Sequence, residues 1–352
     1  MSKNAAEAIK VANRSKVPFY KKKSFKDNVF VATLLAWPII HFLVFWVYVN
    51  GRTLLMTFQR FDVPSGKYVW DGATRFIDFF SKIVMGRLLE GKSIEGKSIF
   101  GFLLFDDLVL SSDIALHNAL INSFRSVFLN IIIILPIAYF AAYVFYKKIP
   151  GEKFFRVFFF FPSMISIVVL TLSFRYLFDS DFGPVAMLIK NVFGYAPDWF
   201  STGPEGNTVW PLIYIYCVWA GLGYNVILIS GAMQRIPMEI RESARLDGAS
   251  FFRECFSIVL PLSMPTVGTY VVLGTLGLFG FMMQPMLLAG GGGGYEGKTL
   301  TIALHIFNLV NTGNTGAAVN AATIGIVLTV VGSPMVFLSK KIMDKLTPDV
   351  EI

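Results

Sequence analysis

Six stretches of this chain run for eighteen residues or more without one Asp, Glu, Lys or Arg: 29–49, 126–146, 157–174, 209–231, 262–288 and 317–338. A helix of about 20 apolar residues is as long as the hydrocarbon layer of a bilayer is thick. No water reaches that layer, so the backbone of each run must satisfy its own N–H and C=O groups, and helix is the conformation that does this. A chain with 55% hydrophobic residues, 35 Phe and only 15% charged residues is too apolar for a soluble two-domain protein. The first run is expected to remain as a span, because no small-residue cleavage site follows it. Pro38 within it is tolerable if neighbouring helices meet the freed carbonyl, and His41 is read as a packed residue.

The cations lie at the ends of these runs. The tail 1–28 holds eight, the turn 147–156 four, the segment 234–261 four and the C-terminal end three. The other side holds eight in the long first loop, then two around 175–190 and one at Lys298. Short loops carry the sidedness signal, so both termini and the segment 234–261 are expected on the cytoplasmic side. The net charge of +8 is thereby explained by membrane topology, and no nucleic-acid partner is expected. The chain divides into a basic tail (1–28), a first span with a long extracytoplasmic loop (29–116), a five-helix core (117–345) and a short tail (346–352). Trp70–Phe80 reads as an amphipathic piece near the headgroups, and EGKSI occurs twice in tandem at 90–99. Cys217 and Cys255 are not expected to pair, and His41, His117 and His305 have no metal-ligand spacing, so no metal site is expected.

Between the fourth and fifth runs lies QRIPMEIRESARLDGASFFRECFSIVLP, Gln234 to Pro261, where charges crowd as nowhere else inside the core. Pro237 suits the first turn of a helix, and Glu239 and Glu242 sit early, where the macrodipole favours carboxylates. Gly248 breaks the run, and a second short helix is expected from Ala249 to Ile258, leading to Leu260 and Pro261. The segment reads as a helix–turn–helix hook outside the bilayer, a docking element for a soluble partner; the bland alternative is a solvated loop.

The order Glu242-Ser243-Ala244, Gly248, Ile258, Leu260-Pro261 resembles the EAA loop of permease subunits of binding-protein-dependent ABC importers. Ser243 departs from the alanine most often found there. PIIHFLVFWVYVN, FRVFFFFPSMIS and LLAGGGGG with KTLTIALHIF extend the resemblance to the larger permease of carbohydrate importers, in the maltose and glycerol-phosphate group. The resemblance implies an all-α membrane protein of six transmembrane helices, a type I ABC importer-like domain with a cytoplasmic coupling helix, in a bacterial or archaeal cytoplasmic membrane. It implies as partners a second permease, two cytoplasmic ABC ATPases that carry the ATP and magnesium, and an extracytoplasmic solute-binding protein. This chain would then hold no cofactor and would not itself be an enzyme. Glu242, Ser243, Ala244 and Gly248, with Arg241, Arg245, Asp247, Ile258, Leu260 and Pro261, would form the ATPase-coupling loop.

GGGYEGKT at 292–299 fits the Walker A pattern, but a phosphate loop needs a short buried strand before it and a magnesium-holding Asp later, and neither is present. Spans without Asp, Glu, Lys or Arg argue against a proton-driven carrier and fit an energy source outside the membrane. An uncharged pathway also suits a sugar, bound by aromatic stacking and amide or hydroxyl hydrogen bonds; Tyr224, Asn225, Phe279, Phe281 and Gln284 are the candidates. The alternatives are another solute class, such as a glycerol-phosphate, or an ion-coupled secondary carrier. Gly274, Gly277 and Gly280 make a smooth stripe read as helix packing. No pore-lining polar ring or catalytic constellation is visible in the spans.

Overall fold

The structure is a computed structural model and describes residues 23–62, 64–89, 113–195, 198–201 and 209–347. The EGKSI duplication, most of the basic N-terminal tail and the last five residues lie outside the described residues. In chain order come α1 (Asp27–Met56), a hairpin of β1 (Gln59–Asp62) and β2 (Lys67–Trp70), and α2 (Thr74–Leu89). Then follow α3 (Ile114–Tyr146), α4 (Glu152–Met164), α5 (Ile167–Leu177), α6 (Pro184–Phe193), α7 (Val209–Met233) and α8 (Met238–Leu246). The chain continues through α9 (Phe251–Gly280), α10 (Met283–Ala289), α11 (Ile302–Asn311) and α12 (Thr315–Leu346).

Among the described residues α1, α3, α7, α9 and α12 are each long and apolar enough to cross a membrane, and α4 and α5 pass the same test only as a pair, bent by 103° at their junction. The six charge-free runs therefore map onto five long helices and one bent pair, and their ends and straightness differ from the sequence reading. The second and last helices extend beyond their apolar runs, starting at Ile114 and ending at Leu346. Asp113 explains the earlier start: its carboxylate caps α3, accepting from the N–H groups of Ala115 at 3.1 Å and Leu116 at 3.3 Å.

The third run is not one helix. α4 continues past Pro162 to Met164, and the chain turns where Ile165 and Ser166 are extended, before α5 starts. The fifth run also breaks: α9 ends at Gly280, Phe281 leaves helical geometry at ψ 95°, and α10 starts afresh. The Thr301 hydroxyl bonds the Phe281 carbonyl that the break sets free.

Within 50–116 the sequence reading missed a two-stranded hairpin, with Gln59 opposite Trp70 and Asp62 opposite Lys67. Phe58 lies between Trp70 and Phe76, ring centroids 5.7 and 5.3 Å away, so the hairpin is pinned to the start of α2.

Two apolar clusters hold the bundle. One joins the second half of α3 to α5, α7 and the start of α9 around Tyr143, Ile213, Tyr216 and Met233. The other joins the first turns of α3 to α2, α11 and α12 around Leu116, Leu304 and Ile324. α3 belongs to both and is the axis of the fold. Its Ala119, Ala138 and Ala142 are fully buried, where a larger side chain would push the helices apart. α1 stands aside: no residue of its apolar window is buried, and only its Val49–Met56 end packs on α12. A helix this apolar and this bare is stable against lipid or another chain, not against water.

Candidate functional site

The charged segment folds as a hook, with its second arm changed from the sequence reading. Pro237 sits at the cap position with extended geometry (φ −54°, ψ 141°), and α8 starts after it. The helix closes where the N–H of Ala249 reaches the Ala244 carbonyl at 3.0 Å, with Gly248 at φ +69°. That left-handed turn favours glycine, and the chain doubles back there. No separate helix from Ala249 to Ile258 exists. Ser250 caps α9, accepting from the Arg253 N–H at 3.4 Å, and α9 runs unbroken through Ile258, Leu260 and Pro261 into the fifth crossing. A π turn over Glu254–Val259 makes this possible, since the Leu260 N–H reaches back to the Cys255 carbonyl just before Pro261. The second arm of the hook is thus the end of a membrane helix.

The hook sorts its residues by face. Ile236 and Ala244 are buried against the bundle, whereas Glu242, Ser243, Arg245, Asp247 and Gly248 are exposed. Met238, Glu242 and Leu246, four residues apart, form one stripe, with Met238 64% and Leu246 88% exposed. The sequence reading singled out Glu242 and passed over its apolar neighbours; the four-residue spacing was the available signal. Arg241 behaves differently from Glu242. It is half-buried, and its guanidinium carbon lies 4.8 Å from the centre of the Tyr146 ring.

A mostly apolar cleft with a few amides and hydroxyls on its walls lies among α3, α4, α5, α7, α9 and α10. One cavity of about 310 Å³ is lined by Asn130, Ser163, Tyr216, Phe281 and Gln284 among others. A second of about 190 Å³ is lined by Asn130, Tyr224, Asn225, Tyr270 and Gly274 among others. Four of the five expected pathway residues therefore border two cavities that share Asn130. Phe279 lies apart: it packs against α12, where a Cβ on Gly332 would come within 2.3 Å of its ring. Of the glycine stripe only Gly274 is packed, with Ile131 at 3.1 Å from an added Cβ; Gly277 and Gly280 face open space. Among the described residues no Asp, Glu, Lys or Arg lines either cavity. Asn130 and Tyr270 escaped the sequence reading, although Asn130 is the only amide in its charge-free run.

The glycine loop folds on itself. The N–H groups of Gly293, Gly297, Lys298, Thr299 and Leu300 bond carbonyls of residues 290–297. Asn122 donates to the carbonyls of Lys298 (3.0 Å) and Leu300 (2.7 Å), and the Trp210 indole to that of Lys298 (2.9 Å). A Walker A loop offers its N–H groups to an anion; here those of Gly293, Gly297, Lys298 and Thr299 are spent on the loop itself.

Residues 113–351 match the family described as binding-protein-dependent transport system inner membrane component. A probable ABC transporter permease of Mycoplasma genitalium is 33% identical over 238 residues, 65% of this chain and 68% of that protein. The maltose/maltodextrin transport system permease of Salmonella typhimurium is 30% identical over 159 residues, 45% of this chain but only 30% of that longer protein. The diacetylchitobiose uptake system permease of Streptomyces coelicolor is 29% identical over 56% of each chain. Among solved structures, a chain of a bacterial ABC transporter involved in the import of the acidic polysaccharide alginate superposes with a TM-score of 0.68. It covers 93% of this chain and 99% of that one at 21% identity, a likeness of fold.

Proposed function

Because the chain belongs to the binding-protein-dependent transport system inner membrane component family, we propose that it is the permease subunit of an ATP-driven importer for a sugar or oligosaccharide. A solute-binding protein delivers the sugar at the outer face. A second, similar permease completes the passage, and two cytoplasmic ATPases, which carry the nucleotide and magnesium, drive it by alternating access. Both termini and the hook face the cytoplasm, as the cations of the short loops favour.

The observation that carries this reading is the exposed Met238–Glu242–Leu246 stripe on a helix held between two crossings. A solvated loop has no reason to present two large apolar side chains around one carboxylate on a rigid helix; a helix laid into a partner's groove does. Glu242, Ser243, Arg245 and Asp247 would be the polar contacts of that interface, and the resemblance of the loop to the EAA loop of importer permeases supports an ATPase as the partner. The cleft suits a neutral sugar: amides of Asn130, Asn225 and Gln284 with the phenols of Tyr224 and Tyr270 supply hydrogen bonds and flat apolar faces without a charge.

The test is co-purification in detergent with an ABC-type ATPase whose hydrolysis rises when a sugar-loaded binding protein is added. Sugar uptake that survives deletion of that ATPase would overturn the proposal. For the cleft, Asn130→Leu and Tyr224→Ala are each expected to lower uptake at limiting sugar about tenfold, the cost of one or two hydrogen bonds or a lost stacking face. Uptake measured over a range of sugar concentrations checks this; wild-type rates in both variants would place the sugar elsewhere.

A further inference from the structure

Four side chains at the hook end of α3 fall on one helical face: Tyr139, Tyr143, Tyr146 and Lys147. Each is engaged by the hook. The Tyr139 hydroxyl donates to the Cys255 carbonyl at 2.9 Å, and the Tyr143 hydroxyl to the Phe251 carbonyl at 3.1 Å. The Tyr143 ring also meets the Phe251 ring edge-on at 4.9 Å. Lys147 Nζ lies 2.6 Å from Glu254 Oε2, and that carboxylate side chain is only 5% exposed. Arg241, on the other arm, covers the Tyr146 ring. α3 therefore grips both arms of the hook, α8 and the start of α9.

We propose that this grip is a transmission clamp: Tyr139, Tyr143, Tyr146 and Lys147 are positioning residues that carry movement of the hook into α3 as well as α9. The inference rests on the importer reading above and adds the route by which force reaches the cleft. α3 continues from the clamp to Asn130, the residue common to both cavities, over nine positions or about 14 Å of helix. α9 reaches the same cleft at Tyr270 and Gly274. Displacing the hook thus moves two walls of the cleft together.

Two features separate a clamp from ordinary packing. A buried ion pair adds little stability over apolar residues of the same shape, and its best-attested use is to fix one register. The clamp also uses the π turn at Glu254–Val259, whose Cys255 carbonyl accepts both the Leu260 N–H and the Tyr139 hydroxyl. Such turns recur at functional sites in helices. α3 carries a second π turn at Leu129–Ile134, beside the cleft, where a transmitted movement can be taken up.

The test uses the assembled transporter in liposomes and reads sugar delivered per ATP hydrolysed, a ratio independent of how much protein folds. Lys147→Glu and Glu254→Lys are each expected to lower that ratio about tenfold, and the double reversal to bring it back to within about threefold of wild type. Tyr143→Phe, which keeps the ring and loses the bond to the Phe251 carbonyl, is expected to lower it about threefold. A wild-type ratio in the variants, or a double reversal no better than either single change, overturns the clamp. Wild-type protein that recruits no ATPase overturns the importer reading instead.

Discussion

Leu246→Asp should cut sugar uptake by about a hundredfold and release the ATPase from the purified complex. A hundredfold corresponds to about 2.8 kcal/mol. Moving a leucine side chain from water into an apolar pocket is worth about 1.5–3 kcal/mol, and a carboxylate in the same place adds a desolvation cost. Leu246 is 88% exposed at the last turn of α8, so the substitution removes no contact within the chain and the fold should be retained. Leu246→Met, of similar volume and apolar character, should leave uptake within about threefold of wild type. Gel filtration after solubilisation reports the fold, and ATPase retained on an affinity-tagged permease reports docking. An Asp variant that keeps its ATPase would show that the stripe faces solvent in the working complex, and the account of the hook would fail with it.

What the sequence revealed and what it concealed divide along a physical line. The crossings were legible because a charge inside a bilayer is expensive, so their charge-free lengths stand out. Gly248 was legible because a left-handed turn between two helical stretches favours glycine, and it lies at φ +69°. The breaks inside the third and fifth crossings were not. A membrane helix is apolar on every side and carries no period from which a bend can be read. The residues that leave helical geometry, Ile165, Ser166 and Phe281, are ordinary in composition. That loss had a consequence for the pathway: Phe279, still within α9, packs on Gly332, while Phe281, at the break, borders the cleft. The face of Tyr139, Tyr143 and Tyr146 on α3 was open to inspection, at spacings of four and three, but in a run with so many aromatics it reads as core. Only the partners 108–116 residues away distinguish it.

Gly223→Ala should be the most damaging small change in the membrane region. A Cβ built on Gly223 would lie 2.0 Å from the carbonyl oxygen of Phe159 and 2.8 Å from its carbonyl carbon, both backbone atoms of α4. A flexible side chain can step aside, but here a whole helix must move, and forcing backbone apart in a packed interior costs about 1–3 kcal/mol, occasionally more. Gly221, one position before Leu222 on the same helix, is the internal control. Its added Cβ would meet only the Ile134 side chain, at 3.5 Å, an ordinary contact. Gly221→Ala should therefore unfold at the wild-type temperature or slightly above, because alanine suits a helix better than glycine. Gly223→Ala should melt well below it and accumulate poorly in the membrane, as thermal unfolding in detergent would measure. The contrast also concerns function. Gly223 immediately precedes Tyr224 and Asn225, and α4 carries Ser163 into the neighbouring cavity. The touching backbones of α4 and α7 thus fix the width of the cleft at the level where a sugar would pass. If Gly223→Ala proved as stable and as active as Gly221→Ala, that close approach would not exist in the folded protein, and the cleft would lose the contact that sets its dimensions.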